Sequence, residues 1–271
     1  MPVNPATIIG EILGEPAAQM RNPANAEYQC PFINSTCTKK GHRLSGPYPV
    51  CSVWAGQRKP ALICACPVRF YETNFVNDIV EHCWPGARPS NLKISHEVKM
   101  AKFGKVDVVL ADVDPNSGQV LQFVSVELQA VDFTGSVELA YSAMVNSTEL
   151  QSRPNNNPNW ANVRKRLISQ LIIKGYFHHH WQTRMVAVLQ TALYNRIRYD
   201  VPFKESSEIN ADTNIVFALY DYKPSLEDGR YVLTLDRIVG TSHSDIMMAP
   251  LYQQVPSREE FCKKILSQLR G

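Results

Sequence analysis

QFVSVELQAVD, residues 122–132, sets an acid and an amide into an apolar alternation. Successive side chains of a strand point to opposite sides. Val124, Val126, Leu128 and Ala130 therefore share one face, and Ser125, Glu127 and Gln129 share the other. Just upstream, KVDVVLADVD, residues 105–114, alternates in the same way. Between the two lies DPNSGQ, with Pro115 and Gly118 where turn chemistry wants them. Residues 106–131 thus read as a β-hairpin that carries Asp107 in its first strand toward Glu127 and Gln129 in its second.

Working outward, LKISHEVKM (92–100), RMVAVLQ (184–190), NIVFALYDY (214–222) and RYVLTLDRIV (230–239) read as further strands. Short helices are expected around Ile8 to Leu13 and Asn74 to Cys83, the second ended by WPGARPS. Thr134 and Ser136 can cap a helix over 136–149. SRPNNNPNW is a loop, in which Asn155 to Asn157 suit a turn. Val163, Leu167, Leu171 and Lys174 follow helical spacing, which predicts an amphipathic helix over 160–177 presenting Arg164, Lys165 and Ser169 on its other face. A last helix spans 257–269, and His178 to His180 read as a solvated loop or helix end. Mixed elements of this kind indicate an α/β or α+β core. The expected division is an N-terminal segment (1–27), a cysteine-rich module (28–70) and a core of strands, helices and loops (71–271).

The chain has 271 residues, 44% of them hydrophobic, as a globular protein does. No apolar run approaches the roughly 20 residues of a membrane span. The first twenty residues lack a basic n-region and carry acids, so a cytoplasmic location is the default expectation. Net charge is only +3, but its distribution is uneven. Residues 150–199 hold no Asp or Glu, yet contain Arg153, Arg164, Lys165, Arg166, Lys174, Arg184, Arg196 and Arg198. Residues 28–71 are likewise free of acids and carry Lys39, Lys40, Arg43, Arg58, Lys59 and Arg69. Such blocks suit a polyanion, with phosphate the obvious ligand.

Of seven cysteines, Cys30, Cys37, Cys51, Cys64 and Cys66 crowd into a turn-rich patch, while Cys83 and Cys262 stand apart. Without a secretory signal, such a patch favours a metal site over disulfides. Four thiolates can hold Zn or Fe tetrahedrally and organise a loop-rich module with little core. Cys64 and Cys66 compete for the fourth place.

Asp107 followed by Glu127-x-Gln129 is the layout of a PD-(D/E)xK nuclease site with Gln in the Lys position. Phosphodiester cleavage needs a nucleophilic water and neutralisation of charge on phosphorus, and carboxylates on adjacent strands can hold a divalent metal that serves both. Mg²⁺ suits hard oxygen ligands and keeps several waters. At neutral pH Gln is neither cation nor base; it positions by hydrogen bonds.

Further stretches join this pattern. CPF (30–32), Cys37 followed by Thr38-Lys39, Cys51 followed by Ser52-Val53, and CPVR (66–69) go with VDVVLADV (106–113) and VELQAVDFTGS (126–136). Together they resemble the NotI-type restriction endonucleases; NVRKR (162–166) is a looser match. The resemblance implies a restriction-endonuclease-like mixed sheet flanked by helices, plus a small loop-rich metal-binding module built on four cysteines. Asp107, Glu127 and Gln129 would form the catalytic core, with Mg²⁺ at Asp107 and Glu127; Glu97 is a further acid to place. Cys30, Cys37, Cys51 and Cys66 would bind one structural Fe or Zn, since Cys66 is the one followed by Pro-x-Arg. Asp132 and Phe133 would hold the next helix or touch substrate.

The implied activity is that of a type II restriction endonuclease, cutting double-stranded DNA at a short GC-rich palindrome as a homodimer. A cognate methyltransferase would protect the host's sites. DNA contacts are expected among Arg153, Arg164, Lys165, Arg166, Arg184, Arg196 and Arg198, because Arg reads guanine and binds phosphate. Two other readings share features: a non-catalytic, metal-stapled DNA-binding protein, and a structure-specific repair nuclease of the same fold. A zinc base deaminase is excluded, because the chain has no His-x-Glu and its close cysteine pair is Cys64-x-Cys66.

Overall fold

The computed structural model describes residues 2–20, 28–41, 43–56, 59–133 and 136–269. Its strands are β1 (Ile9–Ile12), β2 (Glu15–Pro16), β3 (Gln29–Cys30), β4 (Ser35–Thr36), β5 (Val50–Ala55), β6 (Ala61–Cys64), β7 (Leu92–Lys99), β8 (Lys105–Val113), β9 (Val120–Gln129), β10 (Arg184–Gln190), β11 (Ile215–Pro224) and β12 (Tyr231–Thr241). Its α-helices are α1 (Phe75–His82), α2 (Ser136–Val145), α3 (Trp160–His180), α4 (Thr191–Asp200), α5 (His243–Met248) and α6 (Arg258–Leu269). Thr134 and Arg58 lie outside the described residues.

The main sheet has the order β12-β11-β10-β9-β8-β7. Strands β7, β8 and β9 form an antiparallel meander, β9, β10 and β11 run parallel, and β12 returns antiparallel. Parallel neighbours need long crossovers; α2 and α3 lie between β9 and β10, and α4 lies between β10 and β11. The central strand β10 is buried along its whole length, as its unbroken apolar run requires when helices cover both faces. On one face Met185, Ala187, Leu189 and Phe217 pack against Leu167 and Leu171 of α3 and Tyr194 of α4. On the other, Val124, Val126, Val186 and Val188 pack against Phe75 and Ile79 of α1. This is the mixed, helix-flanked α/β sheet anticipated from the sequence. No helix among the described residues is long and apolar enough to cross a membrane.

A second sheet, β2-β1-β5-β6, corrects one expectation. Residues 8–13 form no helix: β1 pairs antiparallel with β5, and all four of its residues are buried. A short run of mostly apolar residues with a single acid, Glu11, sets no helical periodicity, so tertiary pairing decides. Gly10 lies so close to β5 and β6 that a Cβ there would collide with Leu62 and Ser52. The sheet joins strands from both sides of the boundary expected at residues 27 and 28. Its core of Ile8, Ile9, Ile12, Val50 and Val53 also takes in Val137, Ala140 and Tyr141 of α2.

Two polar side chains bind this sheet to the main one. Gln190 at the end of β10 accepts from Cys64 N (2.9 Å) and donates to Leu62 O (2.7 Å). Arg69, a member of the basic segment 28–71, is fully buried and cannot present its charge to a polyanion. It pairs with buried Glu11 of β1 at 3.0 Å and with Glu72, and donates to Tyr231 O of β12 at 2.6 Å.

Candidate active site

Val108 of β8 lies opposite Val126 of β9, so one step along the ladder Asp107 faces Glu127. On the other side of β8, the pairs His96–Val108 and Val98–Val106 bracket Glu97 opposite Asp107. Register alone thus lines up Glu97, Asp107 and Glu127 across three neighbouring strands. Asp107 uses its carboxylate to accept from Leu128 N at 2.8 Å. Glu97 takes a left-handed φ of 55°, interrupts the β7 ladder, is exposed, and accepts from Lys105 Nζ at 2.6 Å.

These acids line a cleft of 360 Å³ with Gln129 and Gln170. Burial raises the Asp107 carboxyl, Glu97 adds to the shift, and Leu128 N–H and Lys174 oppose it. Burial lifts the Glu127 carboxyl further, to about 7, with Asp107 and Glu97 contributing and Lys174 working against them. Closely spaced acids in a partly dry cleft favour a cation that relieves their repulsion. Gln129 donates its amide to Ala130 O at 2.6 Å, which fixes it at the cleft wall.

The polar face of β9 is not turned to water. Glu127 is only 6% exposed, with Lys174 of α3 set against it. Lys174 is itself 2% exposed, and its Nζ binds Glu127 Oε1 and Lys105 O (2.7 Å). Helical spacing places Lys174 on the helix's apolar face and says nothing of this partner. A lysine at a buried helical position is the signal that an acid lies beneath it.

Beyond the cleft, Cys30, Cys51 and Cys66 are buried and Cys37 is partly so. Burial raises the thiols of Cys30, Cys37 and Cys51, and each also feels Cys66. Backbone N–H groups of Phe32 and Ile33 point to the Cys30 sulfur, that of Lys39 to Cys37, and that of Gly14 to Cys51. Such bonds favour thiolate, the form that binds metal. Cys64 donates its Sγ–H to Cys66 O at 3.3 Å, and Cys51 donates its own to Pro49 O at 3.6 Å. No group of three or more His, Cys, Asp or Glu side chains among the described residues is drawn into metal-binding geometry.

A family model described as restriction endonuclease NotI matches residues 11–233. The chain belongs to the NotI restriction endonuclease family. No curated protein matches it. The match starts in β1 and ends in β12, so it takes in strands of all three sheets, Cys30, Cys37, Cys51 and Cys66, and the acid row. As a NotI-family protein the chain is a type II restriction endonuclease, a site-specific deoxyribonuclease with DNA as its substrate.

The basic residues of this NotI-family enzyme fall into groups. Arg153 and Lys165 are exposed, and Arg166, also exposed, lies 3.5 Å from Asp132. Arg164 and Arg196 converge on Asp200 (2.6 and 3.2 Å), while Arg198 pairs with Glu205 (2.7 Å). Arg184 does not face DNA. It sits on the interior strand β10, and its nitrogens donate to the carbonyls of Cys83 (2.9 Å), Trp84 (3.0 Å), Asn210 (2.9 Å) and Thr213 (3.2 Å). The expectation of a DNA contact there is corrected: the side chain fastens loops to the start of the interior strand β10.

The histidine run ends α3, but His178 is not solvated. It is fully buried and packs edge-on against Phe123 and Trp181. Its Nδ1–H donates to Lys174 O at 2.6 Å. Burial, chiefly, pushes its pKa from 6.5 down to about 4. Between those values the unfolded chain binds a proton that the folded one refuses. The contribution of His178 to stability is therefore complete above pH 6.5 and lost as pH falls toward 4. His178→Phe is expected to flatten this acid limb in denaturant melts across that range. A limb unchanged by the substitution would show that His178 is not held neutral.

Proposed function

We propose that this enzyme hydrolyses both strands of a short, GC-rich palindrome as a homodimer, using Mg²⁺ held by Asp107 and Glu127. The observation that supports this reading is the opposition of Asp107 and Glu127 across β8 and β9 in a cleft that also holds Gln129. The donor set fits the ion: hard carboxylate oxygens, few enough to leave positions for water. When bound, Mg²⁺ supplies a Lewis acid for the phosphate and lowers the pKa of water.

The protein's residues do the rest. Asp107 is oriented by Leu128 N–H, and Glu127 by Lys174. Gln129 orients the attacking water by hydrogen bonds, since it can neither carry charge nor take a proton at neutral pH. Glu97 adds negative charge at the rim of the cleft. Arg153, Lys165 and Arg166 offer exposed positive charge to DNA; Arg164, Arg196 and Arg198 reach it by exchanging their present carboxylates for phosphate or guanine. Cys30, Cys37, Cys51 and Cys66 would bind a structural Fe or Zn, a reading supported by the backbone N–H groups directed at the sulfurs of Cys30, Cys37 and Cys51. A cognate methyltransferase shields the host's own sites, and the pair works in the cytoplasm.

Digestion of a large, fully sequenced DNA with Mg²⁺ tests the reading. Discrete fragments whose ends share one palindrome are expected. DNA that is bound but never cut would overturn it, as would cutting that follows DNA structure and ignores sequence.

A further inference from the structure

We propose that Lys174 is the positioning cation of this site, delivered from α3 in place of a lysine at position 129. The inference rests on the active-site reading above and concerns how its two carboxylates are kept in place.

The strand position that would bear a lysine holds Gln129, so β9 brings no positive charge into the cleft. Lys174 brings one to Glu127, at the cleft's wall, from the helix above. Its ammonium has two oxygen partners: the carboxylate of Glu127 and the carbonyl of Lys105. Lys105 opens β8, two residues before Asp107. One buried group thus grips Glu127 and the main chain leading to Asp107, and so sets the separation of the two acids. Misplacement of reacting groups by about 1 Å can cost about a hundredfold in rate.

The turn of α3 that carries Lys174 is itself held. His178 donates to Lys174 O at 2.6 Å, and Asn214 Nδ2 donates to Gly175 O at 2.6 Å. Gly175 lies against β11 and α5, where an added Cβ would meet Ile215 and His243. A long, flexible side chain is thereby anchored on a turn with little freedom. A lysine needed only for helix packing would gain nothing from this burial, since an apolar residue avoids the cost of desolvating a charge.

The test compares wild type, Lys174→Met, Lys174→Arg, Lys174→Met with Gln129→Lys, and Glu127→Ala. Single-turnover cleavage of sequenced DNA is followed over a range of Mg²⁺ concentrations, with thermal melting alongside. Lys174→Met is expected to cut about 10- to 100-fold more slowly and to require more Mg²⁺ for half-maximal rate. Lys174→Arg should recover part of the rate, and Gln129→Lys should recover part in the Lys174→Met background by returning a cation from the strand. A Lys174→Met enzyme with the wild-type rate and Mg²⁺ dependence would overturn the proposal. So would a loss that neither second variant restores and that Leu171→Ala, on the same buried face, matches at equal loss of melting temperature. If Glu127→Ala also cuts like wild type, the active-site reading falls; if it is inactive while Lys174→Met is normal, only the role of Lys174 falls.

Discussion

Glu127→Ala is expected to cut DNA at least about a thousandfold more slowly than wild type while still binding it, a loss of about 4 kcal/mol in transition-state stabilisation. Glu127 is the most enclosed acid of the row, and its removal takes away a metal ligand and the partner of Lys174 together. Asp107→Asn should come close to the same loss, because a neutral amide keeps the shape but not the charge. Gln129→Ala should lose less, about 10- to 100-fold, since the side chain only orients. Glu97→Gln should lose least, as Glu97 is exposed and already shares its charge with Lys105. Single-turnover cleavage in Mg²⁺ measures the rates, and band shifts in Ca²⁺ measure binding. Cleavage by Glu127→Ala at the wild-type rate would remove this carboxylate from the chemistry.

The row of acids is legible in the sequence because it rests on local signals. Alternation fixes which side chains share a face, and a turn at Asp114 to Gln119 fixes the hairpin register, so Asp107 and Glu127 come together before any contact is known. Glu97 is harder to place, since its strand is interrupted by a left-handed residue that sequence spacing does not reveal. The family match runs beyond the stretches that carry the resemblance, into β1 and β12.

What is not legible depends on distant partners. β1 looks helical in isolation and becomes a strand only because β5 lies beside it. The helix α4 escapes a sequence reading since Gln190, its N-cap residue, makes no side-chain cap, and its buried Leu193, Tyr194 and Ile197 adjoin the apolar run of β10. Composition marks the arginines as a block but does not sort them. Arg184 and Arg69 are interior fasteners, while Arg153 and Arg166 stay at the surface. One clue exists for Arg184: an arginine within a continuous apolar strand has to find main-chain carbonyls or leave its donors unpaired.

Arg69→Met is expected to destabilise the protein by about 3–5 kcal/mol, the usual cost of stripping a buried ion pair of one partner. For a chain of this size that corresponds to a fall in melting temperature of roughly 10 °C. Burial disfavours the Arg69 charge, yet Glu11 and the other partners outweigh it and hold the guanidinium pKa above its ordinary value. The dependence is mutual. Glu11 is fully buried, and its Oε2 has no hydrogen-bond partner among the described residues, so loss of Arg69 leaves the carboxylate without compensation. Arg69 also stacks over Phe32 at 4.7 Å and over Tyr222 at 5.7 Å, so it joins the small sheet to β11 and β12 of the main one. If the pairing is what matters, Glu11→Leu with Arg69→Met should regain most of the lost stability, because the double variant buries no charge. Thermal and denaturant melts of the four proteins give the coupling directly. A double variant no more stable than Arg69→Met alone would place the loss in packing against Phe32 and Tyr222. The arginine that follows Cys66 in CPVR would then fasten the module by its shape and not by its charge.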